Sequence, residues 1–362
     1  MNKLENKIWF FFIIIFKLFS ISNVQSAELL LKQKDIIINS NWEMKMKYRY
    51  QIKVISLKDF SQFNEIAIPV SNHSRYISDI FSFIISENKQ MTMGFHQKNK
   101  ILFKKLKLNS IIEYGFTAHV KYPGFEKFFA DLFYLNNEMK LYQAKYSVTF
   151  PKRIEFYWKL IDSSYKQIEM KKNYSKTFSW KRNDVVSESQ AAFLSISTIK
   201  EWNDIKQRYM LLYQKIKEKK CKKIKLLTKF CTNTNKQTTS TVLYNIMEYL
   251  RTKIKYAPNL DRKHCLIPDS PDEVIERKWG DCKDITLLCN YLLNQCRIKS
   301  FIVLVSRNTN YQNSKNFLPN PFIFDHAVIG LKTANGLSFY DVHKKKHRIH
   351  IENKKYLCLM EG

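Results

Sequence analysis

Residues 277–293 read RKWGDCKDITLLCNYLL and contain the start of an amphipathic helix. Asp281 suits the N-cap position, and it is followed by an apolar stripe with helical spacing, formed by Ile285, Leu288, Leu292 and Cys296. Cys282 therefore falls in the first turn, where free backbone amides and the positive end of the helix dipole stabilise a thiolate. This position suits a nucleophile, although the spacing alone fits a structural cysteine equally well.

A second, shorter helix is predicted just before this one. Ser270 and Glu273 have the spacing of a capping box, and Pro271 between them suits the first helical position. The helix should run to about Lys278 and stop at Gly280, because glycine is common just past helix ends. The turn between the two helices therefore leads directly into the candidate nucleophile.

After the long helix, the sequence predicts a hairpin of two strands. The segments HAVIGLK and LSFYDV flank the turn sequence TANG, in which either Asn335 and Gly336 or all four residues form the loop. In both cases antiparallel pairing puts His326 and Asp341 on one face, because side chains alternate along a strand. Taken singly, His326 fits an ordinary strand histidine and Asp341 fits an acid beside a turn.

These residues would form one site if the hairpin face opposed the start of the helix. His326 would then withdraw the thiol proton, Cys282 would attack an acyl carbon, and Asp341 would orient and support the imidazole. The backbone amide of Cys282 could donate to the developing oxyanion. A polar loop at 306–325, after a predicted strand at 300–305, is expected to overhang this cleft and set its specificity.

The first half of the chain alternates apolar and polar residues, as strands with one buried face do. The pattern occurs four times, at 44–54, 112–120, 142–150 and 154–160. Successive strands without helical patterns between them predict an antiparallel β-sandwich. The period then changes to that of helices at 198–219 and 240–255.

The composition excludes several classes of protein. With 362 residues, of which 45% are hydrophobic and 26% charged, the chain can bury a sizeable core, so it is neither wholly disordered nor a small disulfide scaffold. The 61 Lys and Arg against 32 Asp and Glu give a formal charge of +29, which favours anionic surroundings. Only 11 of the 61 are Arg, and no cluster of Arg with stacking aromatics occurs, so nucleic-acid binding is not favoured.

Residues 1–26 are typical of an export signal. Lys3 and Lys7 flank the start, an apolar run follows, and small residues suggest cleavage after Ser26. A membrane anchor is the alternative, but Lys17 interrupts the apolar run, which is shorter than the roughly 20 residues that a spanning helix needs. No later segment is apolar enough to span a bilayer, so we expect the mature protein in the periplasm or outside the cell.

The seven cysteines form an odd number, so an oxidised monomer keeps at least one thiol free. Cys221 and Cys231 could be bridged, although the sequence does not fix the pairing, and Cys289 and Cys296 are predicted to be small core residues. No CxxC pair or other zinc-ligand spacing occurs, so the sequence implies no metal and no cofactor. His343 lies in a basic segment and is predicted to be solvated.

Several of these segments resemble a known family. The run GDCKD at 280–284, with FIVLV, FDHAVIGL and FYDV after it, is similar to the transglutaminase-like superfamily, whose core has a papain-like fold. Together with IEYGF, FSW and IKY upstream, the similarity covers about residues 40–345 and points to bacterial exported proteins that join this core to an N-terminal β-sandwich of unknown function. The resemblance implies that Cys282 is the nucleophile, His326 the base and Asp341 the orienting acid.

We therefore expect an α+β protein with an antiparallel β-sandwich at 28–190 and a papain-like domain at 191–362. The expected activity is thiol-dependent acyl transfer or hydrolysis on a peptide or protein amide, since water or an amine can resolve the same thioester. One departure from the family pattern is that Val342 and His343 follow Asp341, where relatives usually have Pro and Thr. The alternatives are a non-catalytic envelope or surface protein that binds a protein partner, with a vestigial triad, and a basic binder of anionic lipid or glycan.

Overall fold

A computed structural model of the chain describes residues 27–68, 74–121, 127–135, 139–151, 154–161, 175–181, 193–217, 238–257, 266–306, 317–333, 336–344, 348–349 and 356–359. The expected export signal at 1–26 lies outside these residues. Within the described ranges, no helix is long and apolar enough to cross a membrane.

The described part of the first half consists mainly of strands. They are β1 (Glu28–Ile38), β2 (Met44–Lys53), β3 (Glu65–Ala67), β4 (Ser74–Ile85), β5 (Met91–Met93), β6 (Phe95–Gln97), β7 (Lys100–Leu102), β8 (Ile111–Val120), β9 (Ala130–Tyr134), β10 (Gln143–Thr149), β11 (Tyr157–Ile161), β12 (Ser175–Lys181) and β13 (Phe193–Ser197), with one short helix, α1 (Leu57–Phe63). The largest sheet has seven strands in the order β12-β10-β1-β2-β8-β4-β5, and two smaller sheets have the orders β11-β13-β9 and β3-β7-β6. Each of the four alternating stretches contains a strand, as predicted.

One strand pair departs from the expected antiparallel arrangement. Strands β1 and β10 run parallel, with Lys32 opposite Ala144 and Ile37 opposite Thr149. The neighbouring pairs β1–β2 and β2–β8 are antiparallel. The prediction of a purely antiparallel sheet is wrong here, because an alternating pattern shows which face of a strand is buried and carries no information about the direction of its neighbour.

The second half combines helices with one antiparallel sheet. The helices are α2 (Trp202–Lys217), α3 (Thr239–Lys253), α4 (Pro271–Arg277) and α5 (Cys282–Gln295), with a 3-10 turn at Pro321–Ile323. The strands are β14 (Lys255–Tyr256), β15 (Trp279–Gly280), β16 (Ser300–Val305), β17 (His326–Thr333), β18 (Gly336–Tyr340), β19 (Arg348–Ile349) and β20 (Tyr356–Leu359). Five of them form a sheet in the order β19-β18-β17-β16-β20, and β14 pairs with β15. The predicted helices, the strand at 300–305 and the hairpin are confirmed.

A buried cluster holds α3, α4 and α5 against β17. Its members include Val242, Ile246, Leu250, Val274, Ile285, Leu288, Leu292 and Ile329. Fully burying one such aliphatic side chain is worth about 1.5–3 kcal/mol. The apolar stripe that the sequence shows along α5 therefore fixes this helix on the sheet, with its N-terminus near the start of β17.

A second cluster joins the two halves of the chain. Phe128 and Ala130, next to and within β9, pack together with Ile205, Leu287 and Ala327 from the second half. Strand β13, which follows the predicted domain boundary at 190, pairs with β9 and β11. The α+β class is confirmed, whereas the β-sandwich and the division into domains at 190 stay predictions.

Candidate active site

The turn before α5 is fixed by its own capping groups. Asp281 is the N-cap, and its Oδ1 accepts hydrogen bonds from the amides of Lys283 at 3.0 Å and Asp284 at 3.2 Å. The Asp284 carboxylate accepts from the Asp281 amide at 3.1 Å, which completes a capping box. Cys282 is the first residue of the helix and is partly exposed. Its amide is not among those that Asp281 caps, so it stays available at the positive end of the helix dipole.

A buried cluster of charged side chains stabilises this turn. Asp284 is 0% exposed and accepts from the Asp269 amide at 2.8 Å and from Arg277 Nη2 at 2.8 Å. Arg277 also binds the Asp269 carboxylate and lies 4.0 Å above the Trp279 ring. Burial and the charge of Asp281 raise the pKa of Asp284, while these amide bonds oppose the rise. Asp281 is thus the N-cap that the sequence predicts, Asp284 completes the capping of the same turn, and Trp279 packs against Arg277.

His326 and Asp341 meet at the open end of the hairpin. His326 begins β17, Asp341 directly follows β18, and Nε2 of the imidazole donates to Oδ2 of the carboxylate at 2.9 Å. Their side chains are 8% and 2% exposed. Burial lowers the pKa of His326, but the hydrogen bond to Asp341 and the interaction with Cys282 outweigh it and raise the pKa to about 9. Burial acts to raise the pKa of Asp341, and the imidazole brings it below its usual value.

The thiol of Cys282 lies close enough to the same ring to raise its pKa. Nδ1 of His326 is buried and has no hydrogen-bond partner among the described residues, while Nε2 is engaged by Asp341. Nδ1 is therefore the nitrogen that can exchange a proton with the thiol. The structure brings all three sequence-predicted residues together.

His343 is a part of this site that the sequence interpretation missed. Its amide donates to Asp341 Oδ1 at 3.1 Å, and its ring centre lies 4.3 Å from that of Tyr256. Burial lowers the pKa of His343 to about 4. The prediction that His343 is solvated is wrong, because Tyr256, itself 39% exposed, covers the ring. The alternating pattern of the returning strand, continued two residues past Asp341, could have revealed it.

The segment that leads into His326 is attached to the first half of the chain. The amide of Leu318 donates to Ser195 Oγ at 3.1 Å, and Ser197 Oγ donates to the carbonyl of Pro319 at 2.7 Å. Further along, Phe322 and Phe324 are partly buried and pack against the same apolar cluster as Cys282. This segment is the described part of the loop that was expected to overhang the cleft, and residues 307–316 lie outside the described ranges.

The described cysteines divide into three free thiols and one disulfide member. Cys282, Cys289 and Cys358 are free, and Cys289 is buried among apolar residues as predicted. Cys296 is buried in the core, as predicted, and it is also disulfide-bonded, which the sequence did not indicate. Its place on the apolar stripe hid this role, since helical spacing does not distinguish a thiol from a disulfide. In the described part of the chain, no group of three or more His, Cys, Asp or Glu could hold a metal ion.

No family model and no curated protein matches the sequence. Among solved structures, a "putative protease" from Parabacteroides distasonis ATCC 8503 has a TM-score of 0.71 at 14% identity, over 92% of this chain and 70% of that chain. The chain shares the fold of that protein. A "putative cysteine protease" from Cytophaga hutchinsonii is 11% identical over 88% of this chain and 86% of that chain. Its TM-score of 0.26 is too low to show a shared fold. At such identities the likeness concerns the fold alone.

Proposed function

We propose that the chain is an exported enzyme that transfers an acyl group from a peptide or protein amide through a cysteine thioester. The observation that carries this proposal is the buried imidazole of His326. Its Nε2 bonds Asp341, its Nδ1 has no partner among the described residues, and Cys282 is close enough to raise its pKa. The solved structure with the same fold is described as a "putative protease", which supports an amide of this kind as the substrate.

The chemistry follows from the positions of the atoms. Nδ1 of His326 takes the proton of Cys282, and the sulfur attacks the amide carbon to give a tetrahedral oxyanion near the Cys282 amide. The imidazolium, supported by Asp341, then returns this proton to the leaving amine as the carbon–nitrogen bond breaks. Water gives hydrolysis and a second amine gives transfer, because either can resolve the remaining thioester.

Export is supported by two features of the chain. The basic and apolar segment at 1–26 is typical of a secretory signal. Cys296 is disulfide-bonded, and disulfides persist mainly in oxidising compartments such as the periplasm and the cell exterior. Cleavage after Ser26, measured as the N-terminal sequence of the protein recovered outside the cytoplasm, would support this part of the proposal, and an intact N-terminus in the cytoplasm would contradict it.

Thiol labelling tests the proposed site without knowledge of the substrate. Iodoacetamide in limiting amount should modify Cys282 near neutral pH faster than it modifies a free cysteine peptide, because the imidazole stabilises the thiolate. His326→Ala should remove this advantage. His119→Ala is the matched control, since His119 bonds Ser78 in the first half of the chain and should leave the rate unchanged.

Labelling no faster than the free peptide, or equally fast in His326→Ala, would overturn the proposal and favour a non-catalytic surface protein. A positive result would be followed by cleavage of a quenched peptide library, with and without an added amine. Release without amine incorporation would assign hydrolysis, and incorporation would assign transfer.

A further inference from the structure

The proposed nucleophile and base lie on different elements. Cys282 begins α5 and His326 begins β17, so their separation depends on how this helix sits against this strand. The first three residues of β17 pair with β16, but pairing with β18 starts only at Ile329, opposite Tyr340. The start of the strand therefore has a sheet neighbour on one side only, and its position needs a further contact.

Thr286 makes that contact. Its Oγ1 donates a hydrogen bond to the backbone carbonyl of Ala327 at 3.1 Å. Thr286 is 1% exposed, and it lies four residues after Cys282, about one helical turn. Ala327 is the residue directly after His326. One hydrogen bond thus connects the turn that carries the thiol with the residue next to the base.

Apolar packing alone would not fix this separation. Leu287, Ile302 and Ala327 pack together between α5 and the sheet, and this burial is strong but has no preferred direction. A hydrogen bond, in contrast, requires a particular distance and angle between donor and acceptor. The hydroxyl therefore limits sliding of the helix along the strand in a way that methyl groups cannot.

We propose that Thr286 is a positioning residue, whose hydrogen bond to Ala327 sets the separation between Cys282 and His326. This inference rests on the proposed function, because it assigns Thr286 a role in the thiol–imidazole pair. A role in folding alone would lower stability and leave the ionisation of the thiol unchanged. The two roles are therefore separated by the pH dependence of thiol reactivity.

The test is the rate of iodoacetamide labelling of Cys282 as a function of pH. Thr286→Val keeps the shape of the side chain but removes the donor. We expect the rate near neutral pH to fall at least about tenfold, since misplacement by about 1 Å costs up to about 100-fold. The pH profile should also move toward that of His326→Ala, in which the thiol has no imidazole partner. Thr286→Ser keeps the donor and should stay within about twofold of the wild type.

Asn290→Ala is the matched control. Asn290 lies on the same helix, and its Nδ2 donates to the carbonyl of Ser300 in β16 at 2.8 Å, one turn further from the site. This variant should lower the melting temperature without moving the midpoint of the labelling profile. If Thr286→Val does not fold, Thr286→Ala gives the same test with less crowding around the buried carbonyl.

Two results would overturn the inference while the proposed function stands. The first is an unchanged rate and midpoint in folded Thr286→Val, in a protein whose labelling still depends on His326. The second is a folded Thr286→Ser that is as slow as Thr286→Val, which would show that the methyl packing matters and the hydroxyl does not. A wild type no more reactive than a free cysteine peptide would overturn both the inference and the proposed function.

Discussion

Replacement of Asp341 by Asn should move the titration of His326. The substitution keeps the size of the side chain and removes the charge that the Nε2–H group meets at 2.9 Å. His326 has a pKa of about 9 against an ordinary 6.5, a gap that corresponds to roughly 3 kcal/mol of preference for the charged ring. Burial opposes this preference, so Asp341 and Cys282 together contribute more than the net figure.

The direct measurement is a titration of the imidazole nitrogens by NMR, with His326 assigned from the signal that disappears in His326→Gln. We expect a midpoint near pH 9 in the wild type, as the pKa of about 9 indicates, and a midpoint moved toward 6.5 in Asp341→Asn. Labelling of Cys282 near neutral pH should also slow, because less of the imidazole would carry the positive charge that stabilises a thiolate. Asp131→Asn is the control, since Asp131 pairs with Lys34 in the first half of the chain.

The same substitution should change the pH dependence of stability. A pKa raised above 6.5 contributes stability that is complete below that value and is lost as the pH rises to about 9. The lowered pKa of Asp341 contributes stability that is present above its ordinary 3.8 and lost in acid. The wild type should therefore exceed Asp341→Asn most between about pH 4 and 6.5, in denaturant unfolding. A midpoint that stays near pH 9 in the variant, or a stability gap that grows above pH 9, would refute this reasoning.

Three further predictions concern the turn around the thiol. Cys282→Ala should remove the main site of labelling by limiting iodoacetamide in peptide mass mapping, because burial raises the pKa of Cys289 and Cys358, the other free thiols among the described residues; fast labelling of either would contradict this. Arg277→Met should cost about 3–5 kcal/mol in urea unfolding, since it leaves the Asp284 carboxylate buried without its counter-charge, and adding Asp284→Asn should recover part of the loss. Gly280→Ala should cost about 1–3 kcal/mol, because its Cβ would lie 2.9 Å from Cβ of Asp284; an unchanged melting temperature would count against this.

The features that the sequence predicts well are those with local causes. The capping boxes at Ser270 and Asp281 involve residues three apart, so their side chains and amides meet whatever the rest of the chain does. The shared face of His326 and Asp341 in the hairpin also has a local cause, because side chains alternate along each strand and both turn types give the same face. In the structure Thr333 pairs with Gly336 at the turn. The side chains of His326 and Asp341 meet at the other end of the hairpin.

Features that depend on distant segments were missed. The parallel direction of β10 next to β1 and the cover of Tyr256 over His343 each join residues far apart in sequence. No periodicity within one segment records which distant segment it will meet. The approach of the helix start to the hairpin face also joins distant segments, so the sequence supports it only as a condition.

The first half of the chain takes part in building the site. Ser195 and Ser197 are buried in β13, and their hydroxyl groups bond the backbone of Leu318 and Pro319 just before His326. A buried polar group left without its partner costs about 1–3 kcal/mol, so separating the two halves would leave such groups on both sides. Because β18 does not support the first residues of β17, a loosened approach segment would also loosen the base. The strands of the first half therefore act on the proposed chemistry through the position of His326, and a separated second half should lose thiol reactivity before it loses its helices.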